Sequence, residues 1–101
     1  MSQTLPTAET EEAASRAERD RVIATLFKAG ERVWLVDETY DAVASTWRVA
    51  LVRQRERGIW MRQRYHYDVP RGIVYFMGER PISEAELATL RRNGRRFNTS
   101  A

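Results

Sequence analysis

Two stretches of alternating apolar and polar residues, joined by a short turn, constrain this fold more than any other feature. In residues 45–55 (STWRVALVRQR) apolar side chains recur at every second position, and the same period returns in residues 59–69 (IWMRQRYHYDV). Successive side chains of a strand point to opposite faces, so each stretch predicts a strand with one apolar face. Between them, ERG places Gly58 where a three-residue hairpin loop needs a positive φ. The sequence therefore predicts an antiparallel hairpin.

The hairpin register follows from the length of that loop. A three-residue loop puts Arg55 opposite Ile59, and pairing then continues back to Trp47 opposite Tyr67. One face of the hairpin collects the side chains that suit a core. These side chains are Trp47, Val49, Leu51, Ile59, Met61, Tyr65, Tyr67 and Val69.

The other face of the hairpin is basic. It presents three arginines, the only histidine of the chain and one tryptophan, which are Arg48, Arg62, Arg64, His66 and Trp60. Like charges side by side on neighbouring strands destabilise a sheet by about 0.2 kcal/mol or more. Folding alone does not favour this cluster, so the face is a candidate for binding.

The flanking segments predict helices and further strands. Residues 10–29 favour a helix whose second half is amphipathic and whose alanine-rich first half is expected to fray, with Gly30 as the stop. Residues 32–36 (RVWLV) predict a strand, and DETYD at 37–41 predicts a loop. Residues 72–77 (GIVYFM) are apolar on both faces, which predicts a central or doubly covered strand.

The C-terminal helix has the most complete signals. Ser83 and Glu86 form a capping box, and Ile82 and Leu87 are spaced for a hydrophobic staple. Gly94 follows as the C-cap. The predicted fold is α+β, an antiparallel four-stranded meander sheet flanked by an N-terminal and a C-terminal helix (α-β-β-β-β-α). Both helices are expected on the single apolar face.

Length and composition predict the domain organisation. A chain of 101 residues makes one domain, expected at 10–94, between a disordered tail (1–9) and a basic, flexible tail (95–101). No apolar run reaches the roughly 20 residues of a membrane span, and from residues 1–12 we expect no secretory signal. The absence of cysteine excludes disulfides and thiolate metal sites. We expect a cytoplasmic protein, of bacterial or phage origin, with no cofactor and no metal.

Charge is distributed unevenly along the chain. Residues 1–20 sum to −3, whereas residues 46–72 contain seven arginines against two acidic residues. The leading hypothesis is a non-catalytic module that binds nucleic acid through the basic face. Arg48, Arg53, Arg62 and Arg64 would contact phosphates beside His66, and Trp60 would stack on a base. Arg95 and Arg96 would add to this surface if they lie on the same side.

Other readings of the same residues remain open. The basic face can instead dock a protein partner, in an interaction or assembly adaptor that is homodimeric through an exposed strand edge. It can also be a solvated surface, or one neutralised by glutamates of the N-terminal helix. An enzyme using His66 with Asp68 lacks a nucleophile motif. Asp37, Glu38 and Asp41 lack the spacing of a calcium loop, so a solvated turn is preferred.

Overall fold

The structure, a computed structural model, describes residues 8–99, which form two helices and one five-stranded antiparallel sheet. The sheet order is β4-β3-β2-β1-β5. This confirms the predicted α+β class, with a four-stranded meander and two helices, and adds a fifth strand. The elements are α1 (Ala8–Ala24), β1 (Val33–Asp41), β2 (Thr46–Glu56), β3 (Ile59–Asp68), β4 (Ile73–Ile82), α2 (Glu84–Asn93) and β5 (Arg95–Phe97).

The N-terminal boundaries differ from those expected. Most of the tail predicted at 1–9 lies outside the described residues, and α1 already begins at Ala8. The helix was expected to continue to residue 29 but ends at Ala24, where the next backbone N–H groups bond three residues back, as in Phe27 to Ala24 at 3.2 Å.

The predicted hairpin register is confirmed for most of its length. Trp47 pairs with Tyr67, and the ladder continues without a shift to Gln54 opposite Trp60. At the loop, Glu56 instead of Arg55 pairs with Ile59, because Arg55 forms a bulge next to the turn. Gly58 has φ +80, the conformation that the turn requires.

The predicted loop at 37–41 is wrong, because β1 continues through it to Asp41. The register shifts at Val36, after which residues 37–41 pair with residues 46–50 of β2. This pairing provides partners for the backbone N–H and C=O groups of residues 37–41, and the bulge lets the polar side chains of residues 37–39 reach solvent. Asp37 and Glu38 consequently lie on opposite faces of the sheet.

The main core lies between α1 and one face of the sheet. Ile23 and Phe27 of the helical segment pack on buried residues of β1, β2, β3 and β5. The sheet residues of this core are Val33, Leu35, Trp47, Val49, Leu51, Tyr65, Tyr67 and Phe97. The hairpin face predicted to be apolar therefore forms the core.

The first half of α1 docks through polar contacts, although the sequence predicts that it frays. The Trp47 indole Nε1 donates to the Ser15 hydroxyl at 2.8 Å, and the Tyr67 hydroxyl donates to Glu18 at 2.9 Å. The side chain of Arg19 is fully buried, with its guanidinium carbon 4.4 Å from the Trp47 ring centroid and an ion pair to Glu38 at 2.6 Å. The pattern of hydrophobic residues in the sequence could not predict these polar contacts of α1.

The second helix packs on the opposite face, so the prediction that one face receives both helices is wrong. Its Arg91 guanidinium lies 4.2 Å from the ring centroid of Trp34, which alternation places opposite the α1 side. Val52 on the same side has no exposed surface, so this end of the face is covered. Ser83 is confirmed as the N-cap and Gly94 as the C-cap: Ser83 accepts the backbone N–H of Glu86, and the Gly94 N–H donates to Leu90. The Glu86 side chain binds Arg80, so only the serine half of the predicted capping box is observed.

The segment expected to be a flexible tail contains β5, which pairs with β1 from Val33 to Leu35. Phe97 is 1% exposed and meets the Phe27 ring edge-on, with centroids 6.3 Å apart. Burial of this one aromatic ring holds residues 95–97 in the sheet. The last two residues lie outside the described part.

The position of β4 also differs from the prediction. Residues 72–77 were expected in a central or doubly covered strand, but β4 is at one edge of the sheet. Four apolar side chains of this strand remain exposed, namely Ile73, Tyr75, Phe76 and Met77. The apolar residues on both faces of β4 are therefore not explained by burial against other described residues of this chain.

Ser15→Ala tests whether the first half of α1 is docked. The substitution leaves the buried Trp47 N–H without its acceptor, so we expect a loss of about 1–3 kcal/mol in the free energy of unfolding. Chemical denaturation measures it. Thr25→Ala removes a hydroxyl from an exposed position and is expected to cost less than about 0.5 kcal/mol. Equal small effects would show that α1 frays at Ser15.

Candidate functional site

The face of the hairpin opposite α1 is open at one end and basic. A shallow cleft of about 220 Å³ lies there, and Asp37 is among the residues that line it. We call the surface formed by Arg48, Arg62, Arg64 and His66 the arginine face. All four were predicted from alternation to share a face, and the structure brings them together around this cleft.

The strand pairing positions each side chain of the arginine face. Arg48 pairs with His66, and Arg64 pairs with Ala50, which is buried and forms a small floor between them. On the other side Arg64 pairs with Gly78 of β4 and donates a hydrogen bond to the Met77 carbonyl at 3.3 Å. The missing side chain at Gly78 leaves room for the guanidinium, since a Cβ there would lie 3.2 Å from it.

The arginine face has little acid to neutralise it. Within residues 8–99, no carboxylate lies within 4.0 Å of the guanidinium of Arg62 or Arg64, and Arg48 pairs with Asp41 at 3.3 Å while remaining 61% exposed. Near Arg62, the Glu86 carboxylate is occupied by two hydrogen bonds from Arg80, at 2.6 and 3.0 Å.

Glu12 and Asp20, two acidic residues of α1, do not reach this face. Glu12 pairs with Arg16, and Asp20 pairs with Arg19 and Arg95, all on the opposite side of the sheet. Neutralisation of the arginine face by the N-terminal helix, one of the structural explanations considered from the sequence, is therefore ruled out for these residues.

His66 is held in a basic environment. Partial burial and the neighbouring charges of Arg48 and Arg64 lower its pKa from the ordinary value of 6.5. The Asp68 carboxylate accepts the backbone N–H of Arg71 at 3.2 Å, within the turn that follows β3. Burial is the larger cause of the lowered His66 pKa, and the two arginine charges, which also favour an incoming anion, add to it.

Two of the predicted site residues lie away from the cleft. Trp60 is on the same face but at the end next to α2, half-buried, with its ring centroid 5.8 Å from that of Trp34. Arg53 is on the opposite face, where it pairs with Glu31 at 2.7 Å and lies over the Phe27 ring. Arg53 lies two positions after Leu51 on β2 and therefore shares the core side with it. Alternation along the strand thus places Arg53 and Arg48 on opposite faces.

A second basic group, which sequence reasoning did not assemble, surrounds Trp34 at the α2 end of this face. Three guanidinium carbons lie within 5.5 Å of its ring centroid, those of Arg32, Arg91 and Arg96. We call it the Trp34 group. Arg96 pairs with Trp34 across β5 and β1, whereas Arg95 points to the α1 side and binds Asp20. Only Arg96 of this pair shares the side of the arginine face.

Comparisons with known proteins add no assignment: no protein-family model matches the chain, and no curated protein or solved structure matches it significantly. In the part of the chain that the structure describes, neither helix could span a membrane, and no three side chains of the His, Cys, Asp or Glu type are grouped to hold a metal ion.

The single histidine allows the electrostatics of the cleft to be measured directly. We expect NMR titration to give a His66 pKa below 6.5, and Arg64→Gln to raise it because one repelling charge is removed. Arg71→Gln, in the β3–β4 turn, should leave the pKa unchanged. Since the unfolded chain binds this proton more tightly, His66 should lower stability as the pH falls through 6.5. A pKa above 6.5 in the unmodified protein would contradict this account.

Proposed function

We propose that this protein binds nucleic acid through the arginine face, with Arg48, Arg62 and Arg64 contacting backbone phosphates. The observation that carries the proposal is the pair Arg62 and Arg64, which lie next to each other on one strand face without a carboxylate partner among the described residues. Guanidinium groups bind phosphate oxygens through two parallel hydrogen bonds, which suits a row of side chains along a strand.

The shape of the site favours contacts to phosphates over contacts to bases. The cleft is shallow, and its floor is the small side chain of Ala50, so a chain of phosphates could lie across β2 and β3 without a deep pocket. The Trp60 ring packs against Trp34 and does not line the cleft, so it is not placed to stack on a base there. We therefore propose binding with weak sequence preference.

The Trp34 group extends the positive surface along the same side of the sheet. Arg91 and Arg96 lie over one aromatic ring, and the described residues provide no carboxylate within 4.0 Å of either guanidinium. A nucleic-acid strand that crosses the arginine face would meet these side chains at the α2 end. This continuity supports a polymeric ligand over a single phosphate ion.

The proposal predicts binding that weakens steeply with salt. Labelled single- and double-stranded oligonucleotides are titrated by fluorescence anisotropy at several salt concentrations. Removing two phosphate contacts in Arg62→Ala/Arg64→Ala should weaken binding and reduce the slope of log K against log salt by about two. The effect is expected to be similar for oligonucleotides of different sequence.

The matched control removes the same charge from elsewhere on the surface. Arg57→Ala/Arg71→Ala deletes two exposed turn arginines, outside the arginine face, and should leave affinity and slope close to those of the unmodified protein. Equal losses in the two double variants would show non-specific attraction to a basic protein. Absence of binding at low salt would refute the proposed function.

A further inference from the structure

The outer edge of β4 is apolar and unpaired. Within residues 8–99 this strand pairs with β3 alone, so the backbone groups on its other side face solvent. The side chains exposed there are large and apolar: Ile73 is 44% exposed, Tyr75 43%, Phe76 55% and Met77 44%. They emerge on both faces of the sheet, since Tyr75 pairs with His66 and Phe76 with Tyr65. An open apolar edge is a template for pairing with another strand.

The other free edges of the sheet carry features that discourage pairing. The edge strand β5 has only three residues, and the part of β1 beyond it carries Asp37, Glu38 and Asp41. Beyond Met77, where the register shifts, β4 is also protected, because Gly78 has φ +136 and Pro81 has no backbone N–H. Residues 73–77 are thus the one stretch of described edge that is open, apolar and uncharged.

We propose that residues 73–77 of β4 pair with the same residues of a second copy of this chain, in antiparallel orientation and with Tyr75 on the twofold axis. The pairing is self-complementary: Ile73 meets Met77, and Val74 meets Phe76. No residue in this stretch is charged at neutral pH, so two copies meet without like-charge repulsion. A charged partner would find no complementary charge there, which argues for a second copy as the occupant.

The geometry of antiparallel edge pairing determines how the two sheets face. A twofold axis perpendicular to the sheet reverses the strand direction and keeps each face on its own side. The dimer therefore has one continuous sheet with both arginine faces on one side and both α1 helices on the other. With strands about 4.8 Å apart, the β3 strands of the two copies lie three spacings apart, at about 14 Å. The dimer would present one basic surface twice the size.

The oligomeric state tests the inference without any ligand. Sedimentation equilibrium of the full chain should give a dimer, and Phe76→Lys should give a monomer because it places charges in the pairing interface. Phe76 is 55% exposed, so the folded monomer should tolerate lysine, which circular dichroism checks. Val43→Lys introduces the same charge at a fully exposed apolar side chain in the β1–β2 turn and should remain dimeric.

A cysteine pair tests the register. The chain has no cysteine, so Tyr75→Cys places a single thiol at the twofold axis. Opposite residues of an antiparallel pair have Cα atoms about 4.5–5.5 Å apart, within the disulfide range of about 4.4–6.8 Å. Mild oxidation should give a covalent dimer with Tyr75→Cys and none with Val43→Cys. A monomeric unmodified chain, a Phe76→Lys variant that still dimerises, or equal cross-linking of the two thiols would each overturn the proposal.

Discussion

The β2–β3 hairpin has residues that must be buried on both of its faces, and the rest of the structure depends on this constraint. Trp47 and Leu51 need cover on one side, and Ala50 and Val52 need it on the other. The first helix and the segment that follows it supply the cover on one side, through Ile23 and Phe27. The second helix covers only one end of the other side, which leaves room for the arginine face at the open end.

Two helices on opposite faces also separate the charges of the molecule. Glu12 and Asp20 of α1 pair with arginines on their own side of the sheet, among them the buried Arg19 and the exposed Arg95. They are thereby unavailable to Arg62 and Arg64 across the sheet. A modest net charge of +3 thus conceals one face where ions are paired and another where Arg62 and Arg64 have no carboxylate within 4.0 Å among the described residues.

The two surfaces with proposed roles are both places where the chain leaves its own sheet uncovered. The arginine face lies where no helix covers β2 and β3, and the β4 edge lies where no strand continues the sheet. Because antiparallel pairing keeps equivalent faces on one side, dimerisation would join two arginine faces. The two proposals are nevertheless independent, since Phe76 on the α1 side of β4 has no part in the basic cleft.

Local pattern accounts for much of the fold and of the site. The three-residue loop predicted the hairpin register from Trp47 to Gln54. Alternation in residues 45–55 and 59–69 predicted the shared face of Arg48, Arg62, Arg64 and His66, because side-chain direction depends only on position along a strand. The same rule places Arg53 on the core side, apart from Arg48, Arg62 and Arg64. Capping by Ser83 and Gly94 was likewise a local property.

The sequence by itself determined the two strands of the hairpin and the side of the hairpin that each side chain takes, since side-chain direction in a pleated backbone depends only on position along the strand. Tertiary structure alone decided which face each helix covers, that DETYD extends β1, that Phe97 brings β5 into the sheet and that β4 is an edge. Each of these features depends on which elements pack next to the segment. The pattern of GIVYFM is the same whether the strand lies at the centre of a sheet or at its edge, so the sequence of the segment alone could not place it.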